Sequence, residues 1–117
     1  MKRVLIVDDE PDVRFLLRHI LERGGYEVDE AINGSSALEI LRAGSPDLVI
    51  TDLMMPVMDG NELIERLRSE PATGSIPIMS LTSNPNSSVG ADVVLTKFPE
   101  RRDFLAAVLS ILDGGPD

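Results

Sequence analysis

Four short apolar runs, each closed by polar residues, constrain this chain more than any other feature. Val4-Leu5-Ile6-Val7 ends at Asp8-Asp9, Leu48-Val49-Ile50-Thr51 at Asp52, Ile78-Met79-Ser80-Leu81 at Thr82, and Val93-Val94-Leu95-Thr96 at Lys97. Near-continuous aliphatic stretches of this length suit the strands of a parallel sheet covered by helices on both faces. Ligands of such sheets sit in the crevice at the carboxyl ends of the strands. If the four strands are parallel neighbours, three carboxylates, one hydroxyl and one ammonium converge on one site. That set suits a divalent cation and phosphoryl chemistry.

Between the runs the sequence pattern becomes helical. Pro11 suits the first turn of a helix, where its missing N–H costs nothing. Val13, Leu16, Leu17, Ile20 and Leu21 then form an apolar stripe at helical spacing, and Gly24-Gly25 stops it. Tyr26, Val28, Glu30 and Ile32 alternate as an edge strand would. Asn33-Gly34-Ser35 opens a second helix with Ala37, Leu38 and Leu41, ended by Gly44-Ser45-Pro46. Asp59-Gly60-Asn61 precedes a third with Leu63, Ile64 and Leu67. Ile76–Leu81 is the fourth strand, Asp92–Thr96 the fifth, and Pro99 opens a last helix with Leu105, Val108, Leu109 and Leu112. The alternation predicts a doubly wound α/β sheet with right-handed crossovers.

One connection breaks this pattern. Only nine residues, Ser83–Ala91, separate Thr82 from Asp92, whereas a helical crossover between parallel strands needs at least about 10–12. Pro85, Gly90, two Asn and three Ser also disfavour a helix there. The spacing predicts a fourth helix that is missing or reduced to a turn.

At 117 residues the chain is long enough for one domain. We assign residues 1–113 to it and 114–117 to a flexible terminus or linker start. There is no cysteine, so disulfides, zinc–thiolate sites and thiol catalysis are excluded. The formal charge of −9 argues against direct nucleic acid binding. No apolar run approaches the ~20 residues that span a bilayer, and the amino terminus lacks a signal-peptide pattern. A cytoplasmic location without membrane insertion is the expectation. Acids cluster at 8, 9, 10 and 12 and again at 27, 29 and 30; the second cluster reads as solvated surface.

Mg²⁺ takes oxygen ligands in octahedral geometry, usually one or two carboxylates plus phosphate oxygens and waters. Asp8, Asp9 and Asp52 meet that demand, and a cation relieves their mutual repulsion. Asp52, on its own strand, suits a nucleophile toward phosphorus. Lys97 suits a point charge beside a phosphoryl oxygen, and Thr82 a hydrogen-bond donor to another. Taken singly, each residue has a plainer reading: Asp9 as an N-cap before Pro11, Asp52 and Thr82 as ordinary strand ends, Lys97 as a solvated lysine. His19 belongs to the surface, and Met54, Met55 and Met58 to loop packing.

The stretches Val4-Leu5-Ile6-Val7-Asp8-Asp9-Glu10-Pro11 and Asp47–Gly60, together with Leu81-Thr82 and Lys97, resemble the receiver (response regulator) domain of two-component signalling. That resemblance implies a flavodoxin-like, five-stranded sheet of order 2-1-3-4-5. It implies that Asp52 accepts a phosphoryl group from a sensor histidine kinase or a histidine phosphotransfer protein. Asp8, Asp9, Asp52 and the backbone carbonyl of Met54 would hold Mg²⁺, and Thr82 and Lys97 would answer the phosphoryl group. Pro56 and Gly60 would shape the loop after Asp52. Phosphorylation would change affinity for an unknown downstream protein, with a homodimer left open. Such a domain is regulatory rather than an enzyme, beyond self-catalysed phosphotransfer and dephosphorylation.

Three positions depart from the family pattern. The crossover after Thr82 is short, Phe98 separates Lys97 from Pro99, and Val94 stands where an aromatic is common three residues before the lysine. The family aims its lysine through a cis Lys–Pro bond, a device a Lys97–Phe98 bond does not offer cheaply. The altered readout makes Ser83–Ala91 the expected mobile element, with the first or last helix as the other candidate surface. Met54 and Asn84, two residues beyond Asp52 and Thr82, flank the expected water approach, and an apolar Met54 is expected to slow phosphate loss. The alternatives are a phosphorylation-independent, receiver-like protein-binding module and a Mg²⁺ phosphohydrolase. The latter commonly carries Asp-x-Asp after its first strand, which is absent here. A dinucleotide site fails because Asp8-Asp9-Glu10-Pro11 replaces the glycine-rich turn.

Overall fold

The computed structural model describes residues 2–53, 59–82, 90–96 and 100–112, Thr96 by its backbone alone. The apolar runs are strands: β1 (Arg3–Val7), β2 (Glu27–Ala31), β3 (Leu48–Asp52), β4 (Ile78–Thr82) and β5 (Val93–Thr96). They form one parallel sheet of order β2-β1-β3-β4-β5. Among the described residues there are four helices: α1 (Pro11–Arg23), α2 (Gly34–Ala43), α3 (Gly60–Ser69) and α4 (Arg101–Leu112). The expected short connection, 83–91, lies outside the described residues apart from Gly90 and Ala91, as do the loop methionines.

Successive strand residues face opposite sides of a sheet, and the core divides accordingly. Leu5, Val7, Val49 and Ile78 pack with Ala37 and Leu41 of α2 and with Leu63, Ile64 and Leu67 of α3. Val4, Ile6, Leu48, Ile50, Met79 and Leu81 pack on the other side with Val13, Leu17, Ile20 and Leu21 of α1 and with Phe104 and Val108 of α4. Two buried faces explain why the strands read as continuous apolar runs.

Local signals act where expected. Pro11 starts α1, and Gly25, with φ 93, supplies the left-handed residue that turns the chain into β2. The Asn33 side chain accepts from the Ser36 N–H at 2.8 Å to cap α2, and Asp59 accepts from the Glu62 N–H at 2.8 Å to cap α3. At the other end of α3, Arg68 donates to the carbonyls of Gly74, Ile76 and Gly90 and to Asp92 Oδ2 at 2.7 Å. Asp92 also accepts from the Ile78 N–H at 2.8 Å. One guanidinium thus ties α3 to the starts of β4 and β5.

Several expectations shift. β4 begins at Ile78, not Ile76, and includes Thr82. In α1, Leu16 is exposed, at the edge of the stripe rather than in it, while His19 lies at the surface as expected, stacked on Phe15. In α4 the main core residue is Phe104, with Val108, while Leu109 is exposed. Ile32 lies beyond β2 and is exposed. Because Phe104 is completely buried, Phe104→Ala should cost about 3–5 kcal/mol. Urea denaturation checks this, and a loss below about 1 kcal/mol would mean that the α1–α4 face closes over the gap.

Candidate functional site

The β1–β3 ladder pairs Val7 with Thr51, so the next residues, Asp8 and Asp52, lie side by side at the end of that ladder. Both are buried, 1% and 2% exposed. The β1–α1 turn then brings up Asp9 and Glu10, both exposed at the rim. One carboxylate oxygen from each of Asp8, Asp9, Glu10 and Asp52 lies within 4.8 Å of the others. It is the one such acid cluster among the described residues. Its donors are all hard oxygens, the set that fits Mg²⁺ rather than a softer metal. Ionised carboxylates held this close repel one another, and a cation relieves that cost.

The turn is held by its own hydrogen bonds. The Asp8 N–H donates to the Ala31 carbonyl at 3.1 Å, extending the β1–β2 ladder. Asp8 Oδ1 accepts from the Glu10 N–H at 2.8 Å. Glu10, not Asp9, occupies the N-cap of α1, without a side-chain cap. The plain reading of Asp9 as a helix cap therefore gives way to a carboxylate at the mouth of the cluster. Arg14 donates from Nη1 to the Asp8 carbonyl at 2.7 Å and from Nε to Glu30 at 3.2 Å.

Glu30 is the part of the second acid cluster that is not simple surface. Its other oxygen accepts from Arg18 Nη1 at 2.6 Å, and Arg18 also bonds Glu22 at 3.1 Å. The hydrogen bond to Glu30, followed by that to Glu22, holds the Arg18 guanidinium above its ordinary pKa. Glu27 and Asp29 remain outside, near Arg3. Sequence reasoning missed Glu10 as a member of the cluster, although it adjoins Asp9. It also missed Arg14 and Glu30, whose only signal was opposite charge on two elements expected to pack together.

On the β4 side, Leu81 pairs with Asp52, which sets Thr82 one step beyond, at the same end of the sheet and 2% exposed. Thr51 Oγ1 donates to the Asp52 carbonyl at 2.9 Å. The Gly60 N–H donates to the Leu53 carbonyl at 3.1 Å, bringing the start of α3 against the strand end. A Cβ on Gly60 would lie 2.7 Å from Leu53 Cα and would also meet the Asp52 carbonyl oxygen. Lys97 and Met54 lie outside the described residues. Asp8, Asp9, Asp52 and Thr82 are thus brought to one end of the sheet.

Fold and site together define a flavodoxin-like α/β domain with an acidic pocket in the crevice at its strand ends. Residues 4–109 match the response regulator receiver domain, and the chain belongs to that family, which serves two-component signalling. It is 45% identical over 87 residues to the sensor histidine kinase TmoS of Ectopseudomonas mendocina, covering 74% of this chain and 9% of that protein. It spans about half the length of other curated relatives it matches. Among solved structures it is similar to the receiver domain of a signal transduction histidine kinase from Syntrophus aciditrophicus. The TM-score there is 0.91 at 36% identity, covering 97% of this chain and 92% of the other. It is also similar to the response regulator protein TrrA of Thermotoga maritima, solved in complex with Mg²⁺–BeF. That TM-score is 0.87 at 36% identity, over 96% and 100% of the two chains. No helix among the described residues is long and apolar enough to cross a membrane.

Because the obstruction at Gly60 is backbone rather than a flexible side chain, Gly60→Ala should destabilise the domain by about 1–3 kcal/mol. Thermal unfolding measures this; a change within about 0.5 kcal/mol would show that α3 moves away from the strand end at no cost.

Proposed function

We propose that this domain is a phosphoryl-accepting signalling switch in which Asp52 is the acceptor. The observation that carries the reading is the buried Asp52 carboxylate within one cluster with Asp8, Asp9 and Glu10 at the strand ends. Asp8, Asp9 and Asp52, with the Met54 carbonyl, are the groups that would hold Mg²⁺. When bound, the ion supplies positive charge shared between those carboxylates and the phosphoryl oxygens. An Asp52 oxygen attacks the phosphorus of a phosphohistidine on a histidine kinase or phosphotransfer protein. The P–N bond breaks, the imidazole leaves, and an aspartyl phosphate forms. Thr82, at the end of the next strand, suits a hydroxyl donor to the new phosphoryl group, and Lys97 a cation beside it.

The product brings about −1.5 to −2 of charge to the strand ends. A local rearrangement that accommodates this charge would alter affinity for a downstream protein. The similarity to the Thermotoga regulator supports the Mg²⁺ assignment, since that protein was solved with Mg²⁺–BeF.

Acetyl phosphate or a phosphoramidate with Mg²⁺ should give a phosphoprotein mobility shift that is abolished in Asp52→Asn and by EDTA. A wild-type chain that neither shifts nor binds beryllofluoride would instead be the phosphorylation-independent binding module. The lifetime of the product offers a second check: Met54→Asn should lose phosphate several-fold faster, because a polar side chain would help to order the attacking water. Equal decay rates would remove that role from Met54.

A further inference from the structure

Asp8 and Asp9 ride on a turn, and a turn that presents repelling carboxylates must be held from behind. Three of its supports are the backbone groups of Asp8, Glu10 and Arg14: Asp8 N–H to Ala31, Glu10 N–H to Asp8 Oδ1, and Arg14 N–H to the Glu10 carbonyl at 3.1 Å. The fourth is a side chain. Arg14 is only 15% exposed, and its fork reaches the Asp8 carbonyl with one nitrogen and Glu30 with another. Glu30, 26% exposed, is held in turn by Arg18. The turn that carries two candidate metal ligands is therefore tied to β2 and α1 through a guanidinium that bonds the Asp8 backbone carbonyl and Glu30.

We propose that Arg14, locked by Glu30, is a positioning residue that sets the Asp8–Asp9 turn for a divalent cation. The inference rests on the Mg²⁺ reading of the acid cluster given above. It makes a prediction of opposite sign to simple electrostatics. A positive charge beside four carboxylates opposes a second cation, so its removal, by charge alone, strengthens Mg²⁺ binding. If Arg14 positions the turn, its removal weakens binding instead. Lysine keeps the charge but lacks the planar fork that spans the Asp8 carbonyl and Glu30 together.

The test is a Mg²⁺ titration of the intact chain, followed by calorimetry and by the amide resonances of Asp9 and Glu10. Arg14→Met and Arg14→Lys should each weaken Mg²⁺ by about tenfold, the scale typical when a partner behind a metal ligand is lost. Glu30→Gln, which loosens the lock, should weaken it less and in the same direction. Arg66→Met, which removes an arginine from an exposed pair with Glu62, should leave the affinity unchanged. In the Mg²⁺-free state, the Asp9 and Glu10 resonances should already be displaced in the Arg14 variants. Equal or tighter Mg²⁺ binding by Arg14→Lys and Glu30→Gln overturns the inference, whether or not Arg14→Met folds. A wild-type chain that binds no Mg²⁺, or whose binding is untouched by Asp9→Asn, overturns the Mg²⁺ reading itself.

Discussion

The parallel ladder between β1 and β3 is the interaction on which the site depends. Its register pairs Val4 with Leu48 and Val7 with Thr51, and this alone delivers Asp8 and Asp52 to the same point. Two buried carboxylates at that distance repel, so the ladder must be stabilised elsewhere. Val4–Val7 and Leu48–Ile50 are almost fully buried. Each fully buried aliphatic side chain contributes about 1.5–3 kcal/mol, and these runs hold the ladder against the repulsion of the acids that follow them. The acids can be kept together because the apolar runs before them are gripped on both faces.

The same logic explains how the rest of the pocket closes. Gly60 allows the start of α3 to meet Leu53 and the Asp52 carbonyl without a side chain between them. On the α1 side, Arg14 bonds the Asp8 carbonyl. One side depends on the absence of a Cβ and the other on a long side chain with a rigid fork. Both act on backbone next to the acids. Asp9 and Glu10 stand at the rim, so the pocket has a buried floor and an open acidic mouth.

Much of this was legible in the sequence. Buried parallel strands leave continuous aliphatic runs, and the polar residue that ends each run marks the strand end, so Asp8, Asp52 and Thr82 could be read directly. The order of the strands came from the family pattern rather than from any local signal. The edge strand was harder: Val28 follows the alternation, but Ile32 lies past the end of β2 and is exposed. Phe104 escaped notice because helical spacing fits Leu105 and Leu109 as well, and only packing against α1 and the sheet chooses between the faces. Arg14 and Glu30 are 16 residues apart. Their pairing exists only once β1 lies beside β2 and α1 returns across them.

That pairing also changes the meaning of the chain's negative charge. The acids at 27, 29 and 30 look alike in sequence, yet only Glu30 lies on the face toward α1, where Arg14 and Arg18 meet it. The Arg18–Glu22 end of the arginine–glutamate chain is exposed, where an ion pair commonly contributes less than about 1 kcal/mol, whereas the Arg14–Glu30 pair is only 15% and 26% exposed. Its half-buried position and its end point on the Asp8 carbonyl suit a geometric purpose. A cation site needs ligands that remain in place despite their repulsion when the cation is absent. The hydrogen bond from Arg14 to the Asp8 carbonyl supplies part of that restraint from behind the ligands. The receiver pocket is therefore continuous with β2 and α1, well beyond the strand-end residues that would touch the ion.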